Sequence, residues 1–418
     1  MSLTVFEQLE SEVRGYIRSY PTVFHRAENC WIMDEHGNRY LDFFAGAGAL
    51  NYGHNPAPLK RAVIDYLEEN GITHGLDMAT SAKRAFLETF EQVILAPRKL
   101  QYKLQFTGPT GTNAVEAAFK LARQVTGRTN IVAFTNAFHG VSLGSLAATA
   151  NTKFRNAAAT PLANVSFIPY DGYLPDHGDS MAYFRKLLED RSSGLDLPAA
   201  VIVETVQGEG GINIASDQWL VTLAALCKAH KILLIVDDIQ VGCGRTGRFF
   251  SFEEAGIVPD IITLSKSLSG YGLPMSLVLI QPEIDLWSPS AHNGTFRGNN
   301  PAFVSATAAL NHFWRTPEFS EALAKKSAQL AAHLSAMRQT CPTIIAVRSK
   351  GLVGAIEYDS ATTADRISQF CFERGLIIET CGPYGEVLKL LPPLTITEKE
   401  LNFGFEIIEA ATRNYACL

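Results

Sequence analysis

Helix-like and strand-like stretches alternate along residues 56–290, and this alternation limits the folds that the chain can adopt. An order of strand, helix and strand is typical of a mostly parallel sheet with helices on both faces. The apolar runs that predict strands lie at residues 103–106, 131–134, 199–203, 232–236, 261–264 and 276–280. The sequence therefore predicts an α/β fold built around a mostly parallel central sheet.

The regions on either side of this alternation have different patterns. Residues 1–55 predict a helix followed by short strands, residues 301–340 predict helices with an alanine-rich face, and residues 343–418 return to short strands and helices. A chain of 418 residues is long enough for one large domain and a smaller one. We predict a large domain over residues 56–300 and a smaller α+β domain over residues 301–418, which the N-terminal segment joins.

Composition and charge argue against several classes of function. The formal net charge is −6 and the 36 lysine and arginine residues are dispersed, which argues against nucleic acid or an anionic membrane as a partner. No apolar run reaches the roughly 18 residues of a membrane span, and the first residues lack the features of a secretion signal. The seven cysteines are scattered and odd in number, so neither a disulfide framework nor a metal site is indicated. We expect a cytoplasmic protein that acts on small molecules.

A glycine-rich turn follows the strand predicted at residues 103–106. In Thr107-Gly-Pro-Thr-Gly-Thr-Asn113 a helix begins near residue 112, so unpaired backbone N–H groups and the positive end of the helix dipole meet there. Gly111 and Thr112 are therefore candidates to bind an anion. Taken alone, Thr112 would be interpreted as a helix N-cap, and the turn lacks the Gly-Lys-Ser/Thr of a Walker A motif.

Aromatic and acidic side chains follow the next two predicted strands. Phe138 comes after the strand at residues 131–134, where it is either a core residue or a platform on which a flat ligand stacks. Glu204 and Glu209 come after the strand at residues 199–203, where they are part of a polar turn, hydrogen-bond acceptors or a gate for a cation. All three residues are placed at the carboxyl edge of the sheet, where ligands bind in folds of this kind.

An aspartate and a lysine follow the two strands after that. Asp237 comes directly after residues 232–236, and Lys266 stands two residues past residues 261–264. A carboxylate can keep a pyridine nitrogen protonated and a desolvated lysine can attack an aldehyde, so the pair could hold opposite ends of pyridoxal phosphate. A lone lysine is more often a solvated surface group. Acids after an apolar strand also resemble a Walker B element, but the missing Walker A motif argues against an ATPase.

Taken in order, these motifs resemble the class III family of fold-type I pyridoxal-phosphate transaminases over nearly the whole chain. The resemblance implies cofactor binding by Gly111, Thr112, Phe138, Glu204, Asp237, Gln240, Lys266 and Thr295. Lys266 would bond covalently to the cofactor aldehyde, Asp237 would pair with the ring nitrogen and Phe138 would stack on the ring. Gln240 would contact the ring oxygen. Thr295 would reach the phosphate from a neighbouring subunit, because the family builds its active site across a dimer interface.

The resemblance also implies substrate contacts, and here the sequence departs from the general family pattern. Glu209 matches the acid that gates substrate access. Many members carry an arginine before the Pro-Pro-Leu turn, where this chain has Lys389, and Arg297 stands where many members have a glycine. Arginine binds a carboxylate through two parallel hydrogen bonds, whereas lysine acts as a point charge. We hypothesise that Arg297 and Lys389 share the binding of the substrate carboxylate.

Local motifs such as Val-Gln-Gly-Glu-Gly-Gly and Ser-Gly-Tyr-Gly-Leu-Pro-Met are most similar to members that move an amino group from L-glutamate to L-aspartate 4-semialdehyde. This similarity implies L-2,4-diaminobutyrate and 2-oxoglutarate as products, a homodimer or higher homo-oligomer, and a dependence on potassium (K+) that is described for family members. The alternatives within the family are a transaminase for another ω-amine, such as ornithine, 4-aminobutyrate or a diaminobutyrate of siderophore or peptide-antibiotic pathways, an aminomutase and a decarboxylase. Outside the family they are a nucleotide-binding module and an inactive interaction protein, and Lys266 argues against both.

Overall fold

The computed structural model describes residues 3–417, and none of the helices in this range is both long enough and apolar enough to cross a membrane. The α-helices of these residues are α1 (Thr4–Leu9), α2 (Tyr16–Ser19), α3 (Ala45–Gly48), α4 (Ala57–Glu68), α5 (Ser81–Phe90), α6 (Gly111–Thr126), α7 (Leu143–Ala147), α8 (Thr152–Asn156), α9 (Ser180–Glu189), α10 (Asp217–Ala229), α11 (Asn300–Phe313), α12 (Glu318–Thr340), α13 (Ala361–Glu373) and α14 (Glu398–Tyr415). The strands are β1 (Phe24–Glu28), β2 (Trp31–Asp34), β3 (Arg39–Asp42), β4 (Lys103–Phe106), β5 (Ile131–Phe134), β6 (Val165–Ile168), β7 (Ala200–Val203), β8 (Val206–Gln207), β9 (Asn213–Ile214), β10 (Leu233–Asp237), β11 (Ile261–Leu264), β12 (Leu277–Ile280), β13 (Ala346–Lys350), β14 (Val353–Glu357), β15 (Leu376–Ile377), β16 (Glu379–Cys381) and β17 (Val387–Leu390). Short 3-10 turns at Lys266–Ser269 and Thr295–Gly298 also bear on the site.

Seven strands form the central sheet in the order β4-β12-β11-β10-β7-β5-β6. Neighbouring strands are parallel except that β12 runs antiparallel to both β11 and β4. Strands β5, β7, β11 and β12 are buried along their whole length, which explains why their sequences are continuous apolar runs. The predicted α/β fold with a mostly parallel sheet is confirmed.

The six strands predicted for the alternating region are present within one residue of their predicted bounds. Strand β6, at one edge of the central sheet, was not predicted, because its sequence Val-Ser-Phe-Ile contains a polar residue and is only partly buried. Helix α6 begins at Gly111, one residue before the predicted start near residue 112, and buries its alanine-rich face against the sheet. The helical region predicted at residues 301–340 consists of two helices, α11 and α12.

The described residues also form two four-stranded sheets and a two-stranded sheet of β8 and β9. Strands β13, β14, β17 and β16 form an antiparallel sheet, and β1, β2 and β3 form a second sheet that β15 extends. The parallel pairing of β15 with β3 places Leu376 beside Leu41, so the N-terminal strands pair with a strand from the C-terminal part of the chain. We retain the domain boundaries at residues 55 and 300 as a proposal, which this pairing supports.

Alternation along β17 decides which of its side chains face the central sheet. Leu388 and Leu390 pack in the main hydrophobic core, whereas Val387 packs in a smaller cluster with Val206, which follows β7. Side chains two residues apart in a strand lie on the same face, so Lys389 shares the face of Val387. Lys389, a buried cation, therefore lies near the carboxyl edge of the central sheet.

A disulfide joins Cys341, at the end of α12, to Cys417, which follows α14; the two Cα atoms are 5.5 Å apart. The other five cysteines are free and buried. The sequence indicated no disulfide framework, and a sequence separation of 76 gives no signal for this pair. The pairing depends on the packing of α12 against α14, which spacing alone does not reveal.

Candidate active site

The carboxyl ends of five strands of the central sheet surround one cavity of about 170 Å³. It is lined by Gly111 and Thr112 after β4, Phe138, His139 and Gly140 after β5, Glu204, Val206 and Glu209 after β7, Asp237, Ile239, Gln240 and Val241 at β10, and Lys266 after β11. Seven of the eight positions predicted to bind the cofactor therefore meet at one cavity, together with Glu209. Thr295 does not line it in the single chain.

Lys266 and Asp237 line this same cavity, as a flat cofactor held at both ends requires. Strands β10 and β11 are parallel neighbours with Asp237 paired to Thr263, so both residues lie at one edge of the sheet. Lys266 has a φ of 39°, in the left-handed region, where non-glycine residues are strained and concentrate at functional sites. Burial lowers the pKa of Lys266, although the charge of Glu209 opposes the shift. A lowered pKa provides the neutral amine that attacks an aldehyde.

Asp237 is held by a buried histidine. Its Oδ2 lies 2.7 Å from Nδ1 of His139, and its Oδ1 accepts a hydrogen bond from the backbone N–H of Ile239 at 3.2 Å. Burial lowers the pKa of His139, but the hydrogen bond and the charge of Asp237 outweigh burial and raise it. The sequence analysis gave no role to His139, although its place after a strand and beside Phe138 was a usable signal.

The N-terminus of α6 is a candidate anion site at one end of the cavity. The N–H groups of Asn113 and Ala114 bond to the carbonyl oxygen of Thr110, and within residues 3–417 those of Gly111 and Thr112 have no such acceptor. Two free N–H groups at the positive end of a 16-residue helix suit a phosphate. The alternative that Thr112 is the N-cap is wrong, because Thr110 holds that position and Thr112 lies inside the helix.

Glu204 fixes two of the loops that form the cavity. Its Oε2 accepts a hydrogen bond from the N–H of Phe138 at 2.9 Å, and its Oε1 accepts one from Gly208 at 3.2 Å. Burial raises the pKa of Glu204 to about 7, against the opposing charge of His139. Phe138 itself is half-buried and packs against Phe154 at a ring-centroid distance of 5.2 Å and an interplanar angle of 69°, while it also lines the cavity.

A buried lysine lies between two carboxylates beside the cavity. Nζ of Lys389 is 2.8 Å from Oε1 of Glu209 and 2.8 Å from Oε1 of Glu379. Burial opposes charge at Glu209, but Lys389 outweighs it and lowers the pKa of Glu209 to about 2. Burial also disfavours the charge of Lys389, yet the two carboxylates raise its pKa. The sequence analysis missed Glu379, which the pairing of β16 with β17 places directly opposite Lys389.

Gln240 links this lysine cluster to the cavity. Its Nε2 donates to Oε1 of Glu209 at 3.2 Å and to the carbonyl oxygen of Ala47 at 3.1 Å. Its Oε1 is buried and has no hydrogen-bond partner within the described residues. A buried carbonyl oxygen without a donor is costly, so this atom is suited to a hydrogen-bonding group of a bound molecule.

Thr295 and Arg297 lie away from the cavity of their own chain. Thr295 is exposed, and the side chain of Arg297 forms an ion pair with Asp77. Their loop nevertheless packs beside the anion site, because a methyl group on Gly294 would lie 3.0 Å from the backbone nitrogen of Gly108. The structure thus brings these two residues to the neighbourhood of the anion site but does not place them in it.

The residues present fit pyridoxal phosphate: a buried lysine for an aldehyde, a carboxylate for a ring nitrogen, an aromatic wall and a helix N-terminus for a phosphate. A site of this kind on an α/β fold with a mostly parallel sheet defines a pyridoxal-phosphate-dependent enzyme. The family model described as aminotransferase class-III matches residues 16–412. The chain belongs to the class III aminotransferase family, and this membership implies pyridoxal 5′-phosphate as its cofactor.

Individual relatives agree with this assignment. A diaminobutyrate–2-oxoglutarate transaminase of Bordetella parapertussis is 59% identical over 413 residues, covering 98% of this chain and 95% of the relative. One of Streptomyces avermitilis is 58% identical over 416 residues, covering 99% of this chain and 98% of the relative. Among solved structures, the ornithine aminotransferase of Toxoplasma gondii, with partial occupancy of PLP at its active site, is similar with a TM-score of 0.84 and 25% identity. That match covers 99% of this chain and 94% of the other.

Proposed function

We propose that the chain transfers the amino group of L-glutamate to L-aspartate 4-semialdehyde, giving L-2,4-diaminobutyrate and 2-oxoglutarate. The observation that carries this proposal is a single cavity that both Lys266 and Asp237 line. Glu209, which also lines this cavity, forms an ion pair with Lys389. The names and high identity of the relatives support the choice of substrates. We further propose ectoine biosynthesis as the pathway and the cytoplasm as the location.

The chain's own residues supply positioning and proton transfer. Pyridoxal 5′-phosphate, when bound, supplies a reversible covalent link to amines and an electron-accepting ring. Lys266, whose pKa burial lowers, takes the proton from the carbon that bears the amino group and returns a proton on the other side of the transfer. Asp237, held by His139, keeps positive charge on the ring nitrogen. Phe138 and Ile239 provide apolar walls that exclude water from the ring.

Glu209 and Lys389 fit a subsite that must accept two different substrates. Glutamate carries a second carboxylate, whereas the diamine product carries an ammonium group and one carboxylate. With Glu209 in place, the charge of Lys389 is already neutralised, so a substrate carboxylate reaches Lys389 only when Glu209 moves aside. We retain the hypothesis that Arg297 and Lys389 share carboxylate binding. Arg297→Ala and Lys389→Met enzymes whose Michaelis constants for both substrates stay within about twofold of the parent would refute it.

We also propose that the active site is completed across a homodimer interface, with Thr295 reaching the phosphate of the partner's site. Supporting this, Phe296 is 65% exposed although it is apolar, and Ile72, Leu76 and Met78 are exposed nearby. The two segments are joined by the hydrogen bond from Gly75 N–H to the carbonyl oxygen of Gly298 at 2.9 Å. An apolar patch of this kind marks an interaction surface, and it adjoins the anion site at Gly108. A potassium requirement stays a proposal from the family resemblance.

A substrate panel tests the proposed function. The purified holoenzyme is given L-glutamate with aspartate 4-semialdehyde, glutamate 5-semialdehyde or succinate semialdehyde, and formation of 2-oxoglutarate and of each amino product is measured. We expect aspartate 4-semialdehyde to have the highest kcat/KM. A clear preference for glutamate 5-semialdehyde would instead make the chain an ornithine transaminase, the activity named for the Toxoplasma gondii neighbour.

A further inference from the structure

Glu379 has no role in the proposed reaction, yet it contacts Lys389, the lysine of the proposed carboxylate subsite. It is 2.8 Å from Nζ of Lys389, which is also 2.8 Å from Glu209. Its side chain is only 9% exposed, whereas that of Glu209 is 29% exposed and lines the cavity. Glu209 therefore forms the face of this lysine cluster that a substrate meets, and Glu379 lies behind it.

Strand pairing fixes Glu379 in this position. Glu379 and Lys389 are direct partners in the antiparallel pair β16 and β17, and paired residues project on the same face of a sheet. The strand pair therefore keeps the backbone of Glu379 directly opposite that of Lys389. Glu209 stands in the turn between β8 and β9 and has no such pairing with Lys389, so we assign Glu379 as the permanent counter-ion and Glu209 as the exchangeable one.

We propose that Glu379 is a specificity-determining residue, because it places a second carboxylate beside the single ammonium group in the cluster of Glu209, Lys389 and Glu379. Burial raises the pKa of Glu379, and the charge of Lys389 opposes this shift and favours the ionised carboxylate. Two carboxylates around one ammonium group leave the wall of the cavity attractive to a cation and repulsive to an anion. The assignment rests on the proposed function and deepens it. Diaminobutyrate that reacts at its terminal amine presents an ammonium and a carboxylate to this wall, whereas glutamate presents two carboxylates.

The effect persists when Glu209 moves aside. Lys389 then remains paired with Glu379, so a glutamate carboxylate meets a neutral pair in place of a bare cation. Both groups are nearly inaccessible to solvent, and salt screens such buried charges far less than exposed ones. Glu379 thus weakens glutamate binding when Glu209 has moved aside, and it favours the diamine when Glu209 is still paired with Lys389.

Half-reactions test this assignment. Diaminobutyrate and glutamate both convert the aldehyde form of the holoenzyme to its amine form, so kcat/KM for each amine is measured from cofactor absorbance without a second substrate. Glu379→Gln removes the charge and keeps the shape. Glu379→Met is a second neutral variant of similar length, and Glu379→Asp keeps the charge. Glu373→Gln removes an exposed carboxylate from α13 and is the matched control for net charge. Cofactor absorbance and thermal unfolding check that each variant is folded.

We expect the ratio of kcat/KM for diaminobutyrate over glutamate to fall at least about tenfold in the neutral variants, as for the loss of a unit charge near a partly desolvated site. Glu379→Asp should keep the ratio within about threefold, and Glu373→Gln should leave it unchanged. Equal losses for both amines, or an unchanged ratio, would overturn the assignment while leaving the proposed function intact. A parent enzyme that reacts with neither amine would overturn the proposed function and this assignment with it.

Discussion

Oδ2 of Asp237 lies 2.7 Å from Nδ1 of His139, and this bond joins the predicted partner of the cofactor ring to a second buried residue. A carboxylate that keeps a cofactor nitrogen protonated must itself stay ionised in a buried setting. Burial disfavours charge on both groups, and their mutual attraction offsets part of this cost. His139 is therefore a positioning residue for Asp237.

Substitution of His139 tests that role. We expect His139→Ala to lower kcat/KM at least about tenfold, because a hydrogen bond to a charged group contributes roughly 1.5–3 kcal/mol and about 1.4 kcal/mol is a factor of ten. His139→Asn, which can still donate to Asp237, should recover part of the loss. The measurements are steady-state kinetics and the pH dependence of cofactor absorbance. A His139→Ala enzyme with the parent's kinetics and absorbance would show that Asp237 needs no support.

Lys266 is expected to carry the proton transfer. Lys266→Ala should still bind pyridoxal phosphate through the anion site and Asp237, but it should lose the absorbance of the lysine-bound cofactor and about 10²–10⁴-fold or more in turnover. The matched control is Lys228→Ala, which removes an exposed lysine from α10 and should be unaffected. Absorbance spectra and single-turnover rates make the comparison. Turnover retained in Lys266→Ala would refute the assignment.

Lys389 should control stability in a pH-dependent way. Lys389→Met leaves two buried carboxylates without their cation, which typically costs about 3–5 kcal/mol at neutral pH. In the parent, the lowered pKa of Glu209 contributes stability that is fully present above the unfolded value of about 4.3 and is lost as pH falls towards about 2. The free energy of unfolding is expected to be lower for Lys389→Met than for the parent. This difference should become smaller as pH falls from about 4.3 towards about 2. Denaturant unfolding at several pH values measures it, and a deficit that is constant with pH would contradict the ion-pair account.

The exposed apolar patch around Phe296 predicts an oligomer. Phe296→Asp should shift the protein towards monomer in sedimentation velocity and lower its activity, because a charge at an apolar interface is desolvated without a partner. Val258→Asp, which places the same charge at another exposed apolar position, should change neither property. A Phe296→Asp protein that keeps the parent's mass and activity would place the interface elsewhere.

The sequence by itself determined the central sheet and most of the candidate site. Continuous apolar runs locate strands because a sheet covered on both faces demands them, and a parallel sheet brings the residues after each run to one edge. That rule was enough to place Asp237, Lys266, Phe138 and Glu204 at a common cavity. It did not reveal β6, whose partly buried edge position weakens the apolar signal.

Tertiary structure alone decided the contacts between residues distant in the chain. The pairing of Glu379 with Lys389 depends on the register of β16 against β17, and the bond between His139 and Asp237 depends on the order of β5 and β10 in the sheet. The disulfide between Cys341 and Cys417 depends likewise on how two helices pack. The periodicity of a segment indicates which of its faces is buried. Sheet order, register and helix packing depend on the free energy of the whole fold, so no local pattern predicts them.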